Sequence, residues 1–335
     1  DRCDVAVVTN IGAGDHLGLG GVETPEDLAR VKRVVAEAVA PTGAAVLKAD
    51  DPLTAAMSEH CPGRVTFFAH DGDHPVVAAH RAAGGRAVFV RHGAIVRAEA
   101  GREEVLVPLA RVPMTLDGRI GFQVENALAA AAAAWALDLG PETTRAALAS
   151  FASDAETVPG RFNVLELGGA TVIVDYGHNP SALDALIAAL ASFSHERRTV
   201  VYTGVGDRRD DDLIRQGEQL GAAFDRVFLF EDNYTRGRPD GEIMALLRRG
   251  LAAGTRVRAV AEFRGALAAV EAALQAVGPG DLLLIQADLV EETLDCVRRH
   301  GAVRCPGPAG PDTADVATGR ATTDILSAPA LDGSA

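Results

Sequence analysis

Lysine is almost missing from this chain: of its 32 Lys and Arg residues only Lys32 and Lys48 are lysines, so each can be followed individually. Cysteine is sparse too. Cys3, Cys61, Cys296 and Cys305 stand far apart, with no CxxC pair and no histidine at ligand spacing. That argues against a disulfide framework and a structural zinc site and leaves free thiols. There is no apolar run of about eighteen residues, the length a bilayer requires, and the opening Asp1-Arg2-Cys3-Asp4 has neither an initiating Met nor the pattern of a signal peptide. A soluble, cytoplasmic protein without a membrane partner is therefore expected. A basic surplus is also lacking. The net charge of -14 argues against a general nucleic-acid binder, which must neutralise phosphates, and is compatible with a cationic substrate.

What is present suits two ordinary domains in 335 residues, of which 48% are hydrophobic and 23% charged. Residues 5–9 read as a buried strand running into a glycine-rich loop. "TPEDLARVKRVVAEAVAP" follows with Thr24 as N-cap, Pro25 at the first helical position, Asp27 at the capping-box position and Pro41 as a stop. Its apolar stripe is Leu28, Val31, Val35, Ala38 and Val39. "AAVLKADDP" and "RVTFFAHD" read as two further strands, and residues 76–112 as hairpins appended to a parallel core. The alanine-rich "VENALAAAAAAWALDLG" and then "PETTRAALASF" read as helices. Turn chemistry at 153–163 marks a boundary. Beyond it strands near 170–175, 199–203, 226–230, 256–260 and 281–286 alternate with helices, which predicts an α/β fold with a doubly wound, Rossmann-like parallel sheet. The segment from Pro306 onward lacks periodicity and reads as a disordered tail.

Within "GGATVIVDYGHNPSALDALIAAL", residues 168–190, an apolar strand breaks at Asp175-Tyr176-Gly177-His178-Asn179-Pro180 before a helix begins. In a parallel sheet, ligands bind at the carboxyl ends of strands. Asn179 suits a cap and Pro180 a first turn, and the free N–H groups there favour phosphate or carboxylate. An ordinary capped turn explains Asn179 and Pro180 equally well, but explains Asp175 and His178 less well.

"VDYGHNP" after "PGRFN" resembles the C-terminal domain of the Mur ligase superfamily, the ATP-dependent amide ligases of peptidoglycan, folate and cyanophycin synthesis. "VVTNIGAGDHLGLGG", "DLARVKRVV", "LKADDP" and "VENALAAAAAA" resemble, in order, the later part of that superfamily's central ATPase domain. "GDHLGLGG", "GDRRDDD", "RGRPDGE" and "LLLIQAD" point within it to the cyanophycin-synthesising branch. The resemblance implies residues 1–157 as part of the central domain, 158–304 as the C-terminal domain and 305–335 as the tail.

The resemblance also implies ATP and Mg2+ as cofactors and a set of site residues. His16 matches a histidine that ligates magnesium; a lone loop histidine is otherwise simply solvated. Lys32 matches a lysine that many relatives carbamylate to help hold magnesium, although its place at the edge of an apolar face also suits a snorkelling lysine. Asn10 matches a nucleotide or loop-ordering contact, and Asn126 an adenine contact. Arg161 matches an arginine that reaches the phosphates, a role suited to a guanidinium. Asp175 matches an acidic ATP contact, and His178 a residue that orients nucleotide or acyl phosphate. Asp207 and Arg208 resemble a substrate-proximal pair; Asp232, Asn233, Arg236 and Arg238 lie in a stretch resembling the amino-acid pocket. If the incoming amino acid is arginine, Glu231, Asp232 and Asp288 are all candidates to receive its guanidinium.

The sequence departs from the family in lacking a glycine-rich phosphate loop ending in Gly-Lys-Ser/Thr: Lys32 follows Val31 and Lys48 follows Leu47. Lys48 also replaces a usual Asn, and Gly177 an Ala common in the cyanophycin branch. The chain is thus expected to be a fragment missing upstream phosphate-loop and ATP-grasp regions, and to turn over little ATP alone. The expected activity of the whole is joining arginine to the β-carboxylate of a poly-aspartate (cyanophycin) primer, with a homo-oligomer as the expected assembly. A peptidoglycan ligase, and a non-catalytic Mur-like module, stand as alternatives.

Overall fold

The computed structural model describes residues 2–304 except 13–16, 19 and 233. His16, Asn233 and the tail expected at 305–335 lie outside the described residues.

β1 (Cys3–Val8) runs into the loop that leads to α1 (Pro25–Lys32). The capping box read from the sequence is formed: Thr24 Oγ1 accepts from the Asp27 N–H and Asp27 Oδ2 from the Thr24 N–H, both at 3.1 Å. The single helix expected up to Pro41 is not. A one-turn α2 (Val34–Glu37) follows α1, and β2 (Val39–Lys48) already contains Pro41. The expected stripe holds only at its ends: Leu28 and Val39 are buried, but so are Ala29 and Ala36 outside it, while Val31 and Val35 face solvent. Pro41 is tolerated because the β1–β2 register jumps there, from Cys3↔Val39 to Val5↔Ala44.

Asp51 caps the short α3 (Pro52–Ala56), and β3 (Arg64–Asp71), α4 (Pro75–Ala82), β4 (Arg86–Arg91), β5 (Ala94–Glu99) and β6 (Arg102–Pro108) follow. The sheet order is β1-β2-β3-β4-β5-β6, parallel as far as β4 and antiparallel after it. Residues 86–108 form the expected hairpins, but 75–82 are helical, started by Pro75. The alanine-rich α5 (Gly121–Ala136) lays Val124, Ala127, Leu128 and Ala131 on Val46, Phe68 and Val88 of the sheet; α6 (Pro141–Ser150) packs beside it. Small side chains let that helix approach closely.

The second sheet starts with β7 (Asn163–Leu167), an antiparallel partner of β8 (Ala170–Asp175) that the sequence reading did not separate. Gly168 and Gly169, both at positive φ (56° and 86°), make the turn between them. Then come α7 (Pro180–Leu190), β9 (Arg197–Tyr202), α8 (Asp210–Ala223), β10 (Arg226–Glu231), α9 (Glu242–Leu251), β11 (Ala259–Arg264), α10 (Ala266–Ala276), β12 (Asp281–Gln286), α11 (Val290–Arg299) and β13 (Val303–Arg304). The order is β11-β10-β9-β12-β8-β7-β13, parallel from β11 to β8. Helices α7, α8 and α9 cover one face and α10 and α11 the other. Every residue of β12 is buried, as a central strand covered on both faces must be.

The two sheets are joined through side chains. Ile120, just before α5, sits in the second sheet's core with Phe162, Leu183 and Leu186. Burying one such side chain is worth about 1.5–3 kcal/mol. Ser192 Oγ donates to the Arg119 carbonyl at 3.1 Å and Arg119 Nη1 to the Ser192 carbonyl at 3.2 Å. This contact holds the carboxyl ends of β1 and β8 over a common gap.

Candidate functional site

That gap contains a cavity of about 510 Å³ lined from both sides. Thr9 and Asn10 come from the end of β1, Glu125 and Asn126 from α5, Arg161 from the segment entering β7, Asp175 from the end of β8, and Asn179 and Ser181 from the start of α7. Asn179 Oδ1 accepts from the Ala182 N–H at 2.8 Å, fixing the start of α7, where Asn179, Ser181 and Ala182 line the cavity. Such an N-terminus favours an anion. Asn126 donates through Nδ2 to Gln123 Oε1 at 3.0 Å, so its carbonyl oxygen is available to a base.

Arg161 is exposed to the cavity and its guanidinium lies over the Tyr176 ring at 5.3 Å. Asp175, 9% exposed, spends both carboxylate oxygens on backbone: Oδ2 accepts from the Phe162 N–H at 2.8 Å and Oδ1 from the Gly177 N–H at 2.6 Å. Burial raises its pKa above the ordinary carboxylate value, against the pull of those two N–H groups and of Arg161. The carboxylate therefore pins the Arg161–Phe162 segment to the end of β8. His178 is half-buried and does not line the cavity; its Nδ1 lies 3.1 Å from the Tyr176 carbonyl, and its own carbonyl accepts from Gln216 Nε2 at 2.9 Å. Lys32 ends α1, away from this cavity.

Farther along the rim a second cavity, of about 340 Å³, is lined by Leu17 and Gly18 from the first sheet's loop and by Asp207, Arg208, Arg209, Arg236 and Arg238. The Arg208 side chain is 1% exposed. Its Nη1 lies 3.3 Å from Asp207 Oδ1, yet neither Nε nor Nη1 makes a hydrogen bond among the described residues. A buried guanidinium with unused N–H groups is costly without an anion. Arg236 pairs with Asp207 at 2.8 Å, and Arg238 is committed to the Gly206 and Arg208 carbonyls and to Asp210. Arg209, which the sequence reading passed over, reaches across the gap: its Nη1 donates to the Glu23 carbonyl at 3.4 Å. Gly18 is needed there, since a Cβ would stand 2.9 Å from Arg209 Cγ.

Beside these arginines a small cavity is lined by Glu231, Asp232, Tyr234, Arg236 and Asp288. Glu231, 3% exposed, accepts through Oε1 from the Gly241 N–H at 2.7 Å and Arg264 Nη1 at 2.9 Å. Asp232 Oδ1 accepts from the Ala266 N–H at 3.1 Å, at the start of α10. Asp288 is exposed, with no hydrogen bond or close ion pair to its carboxylate among the described residues, although its charge acts on Arg236 across the cavity. Of the two residues expected to hold magnesium, His16 lies outside the described residues. No group of three or more His, Cys, Asp or Glu placed to hold a metal occurs among the described residues.

The pattern of the Mur ligase middle domain matches residues 2–134, and that of the Mur ligase glutamate ligase domain matches residues 160–289. The chain belongs to the Mur ligase family. This Mur ligase chain is 41% identical over 251 residues to a cyanophycin synthetase of Synechocystis sp., covering 75% of this chain and 28% of that protein. It is 32% identical over 295 residues to a UDP-N-acetylmuramoyl-L-alanyl-D-glutamate–2,6-diaminopimelate ligase of Xanthomonas campestris pv. campestris, covering 84% of this chain and 53% of the other. A solved bifunctional folylpolyglutamate synthase/dihydrofolate synthase of Yersinia pestis, complexed with AMPPNP and Mn ion, shares the fold at a TM-score of 0.62 and 20% identity, over 89% of this chain and 62% of that one. The chain therefore spans about a quarter to a half of the length of the curated relatives it matches. Among the described residues, no helix is long and apolar enough to cross a membrane.

Of the expected site residues, Asn10, Asn126, Arg161 and Asp175 come together around the first cavity, Asp207, Arg208, Arg236 and Arg238 around the second, and Asp232 with Arg236 at the third. Lys32 and His178 line none of the three. The sequence reading missed Ser181, Glu125 and Phe122 at the first cavity. Phe122 lies four residues before Asn126 on α5, one helical turn away on the same face, which was a usable signal.

Proposed function

We propose that this chain is the nucleotide- and amino-acid-binding part of an ATP-dependent ligase of cyanophycin synthesis, forming an isopeptide bond between arginine and the β-carboxylate of an aspartate backbone. The observation that carries this reading is the 510 Å³ cavity with Asn10 and Asn126 on one wall and Arg161, Asp175 and the start of α7 on the other. Nucleotide fits it: Asn126 meets the base, while Arg161 and the α7 N–H groups meet phosphate oxygens. A carboxylate oxygen of the acceptor attacks the γ-phosphorus and ADP departs; the arginine amine then attacks the acyl carbon, phosphate leaves with the bonding pair, and the amine loses a proton. Arg208 supplies the cation for the acceptor carboxylate and its acyl phosphate, and the gap between the sheets brings acceptor and amine together. Asp288 receives the guanidinium of arginine, because it is the exposed one of the three carboxylates, whereas Glu231 is buried and already carries Arg264 and Asp232 holds the start of α10. ATP and Mg2+ are the cofactors of this reading, cytoplasm is the compartment, and residues 1–157 and 158–304 are its two domains. His16 and Lys32 are the metal-side residues of this reading, and His178, outside the cavity wall with Nδ1 3.1 Å from the Tyr176 carbonyl, acts on the nucleotide through the turn that carries Gly177. The 41% identity to a cyanophycin synthetase favours this branch over a muramyl-peptide ligase.

On this reading the isolated chain turns over little ATP, because upstream regions supply the phosphate loop. The test joins the upstream portion of a cyanophycin synthetase to the chain and measures ATP-dependent arginine incorporation into an aspartate primer. Arg161→Ala is expected to raise the nucleotide KM about 10- to 100-fold, the loss of one charged hydrogen-bonding partner. Unchanged kinetics in that variant, or transfer to a muramyl peptide in place of the primer, defeats the proposal.

A further inference from the structure

The end of the second sheet opposite the cavities carries arginines that the proposed reaction does not use. β9 opens on Arg197 and Arg198, β10 on Arg226, and Arg256 and Arg258 lie just before β11. Glu196, Asp225 and Asp281 are interleaved with them, so five cations face three carboxylates. Two of the three are committed internally. Asp281, 3% exposed, accepts on Oδ2 from Arg197 Nη2 at 2.7 Å, Arg226 Nη2 at 3.0 Å and the Gly278 N–H at 3.0 Å. Asp225 Oδ2 accepts from the Arg198 N–H at 2.8 Å and Arg256 Nη2 at 2.9 Å. Glu196 is exposed, and so is Arg258, whose guanidinium has no partner among the described residues. Crowding shows at Arg198: burial first, and then the like charge of Arg256, lower its pKa. In a chain of net charge -14 this is a local reversal of sign.

These side chains border an open cavity of about 520 Å³, lined by Glu196, Arg197, Asp225, Arg226, Arg258 and Asp281 among others. Neighbouring strands lie about 4.8 Å apart. The register Arg226↔Thr199 and Arg226↔Ala259 places Arg197 two residues and Arg258 one residue before the positions paired with Arg226, so both lie farther out on this rim, on either side of it. Arg197 and Arg258 stand at the starts of strands two spacings apart, about 10 Å, a span that two carboxylates of one extended peptide can bridge through these long side chains. A single small anion would meet only one of them. We propose that this rim is a second binding site, for an acidic peptide laid across the starts of β9, β10 and β11 with its carboxylates on the exposed Arg197 and Arg258, while Arg226, spent on Thr199 Oγ1, the Ala276 carbonyl and Asp281, holds the floor between them. Strands of six residues separate it from the catalytic rim by about 20 Å, so it would hold a stretch of acceptor remote from the reacting end. Only the identification of that peptide with the aspartate backbone rests on the proposed function; the site itself does not.

The experiment measures fluorescence anisotropy of a labelled oligo-aspartate peptide with the chain, at low salt and without ATP or arginine. Arg258→Glu is expected to weaken binding about 10-fold and Glu196→Gln to tighten it about 3-fold, the opposite signs expected of rim charges. Neither side chain holds another in place, so both variants should match the parent in thermal unfolding. Wild-type affinity in both variants overturns the proposal, as does absence of binding by the parent chain. An oligonucleotide of equal charge displacing the peptide with equal affinity also overturns it, by showing a general polyanion surface. With no nucleotide present, failure here leaves the ligase reading standing, and failure of the ligase assay leaves this site standing.

Discussion

The ring of Phe122, from the first turn of α5, meets the ring of Phe162 edge-on, with centroids 5.2 Å apart. Phe162 in turn donates its backbone N–H to Asp175, so one aromatic contact couples the two sheets to the carboxylate at the end of β8. Phe122→Ala is expected to cost about 2–3 kcal/mol in denaturant unfolding, from lost burial of a half-buried ring plus the ring–ring contact. It should also weaken nucleotide binding, because Arg161 directly precedes Phe162. A variant with lowered stability but unaltered nucleotide affinity would show that the junction does not position the site.

Asp175 gives the protein a pH signature. Its folded pKa is raised, so between the ordinary carboxylate value and the raised one the folded state holds a proton that the unfolded state has lost. Stability contributed by this group is therefore greatest below the unfolded value and declines as pH rises through the folded one. Asp175→Asn lacks this term, and its amide nitrogen cannot accept the N–H that one carboxylate oxygen accepted. The variant should be less stable than wild type at neutral pH, and the gap should widen on acidification toward pH ~4. Urea unfolding of both proteins at several pH values checks this; a gap that narrows on acidification contradicts the burial argument.

The contrast between what the sequence revealed and what it hid is physical. The cap at Thr24 and the one at Asn179 depend on contacts within three residues, and both form as expected. The strands β3, β8 and β12 have the boundaries their apolar runs suggest. The segment 31–41 misled because Val31 and Val35 have helical spacing but nothing to bury them, while Val39 is claimed by pairing with Cys3, a contact across the chain. β7 was hidden although Gly168-Gly169 is a hairpin signal. The motifs located the rim residues, but which of their polar atoms remain free depended on partners far away in sequence. Glu231 looked equivalent to Asp288 until Arg264 was found on it.

That difference predicts substrate selectivity. Asp288→Asn should raise the KM for arginine about 10-fold, the effect of removing one exposed partner of a charged hydrogen bond, with a smaller change in kcat. Asp232→Asn keeps an oxygen for the Ala266 N–H and should change KM less. Steady-state kinetics in the restored enzyme with arginine as the varied substrate decides between them; the reverse order would reassign the guanidinium to Asp232.

Arg208 offers a separation of function from folding. A guanidinium buried with unused N–H groups contributes little to the stability of the empty protein. Its carboxylate neighbour Asp207 keeps Arg236 at 2.8 Å if Arg208 is removed. Arg208→Met fills similar volume without charge, so its melting temperature should equal or exceed that of wild type. Turnover with the aspartate primer should fall about 100-fold or more, the scale of losing one preorganised group at a developing negative charge. Calorimetry and the incorporation assay, run on the same preparation, read the two effects separately. A large drop in melting temperature with normal turnover would make Arg208 a structural residue and remove the anion from the second cavity.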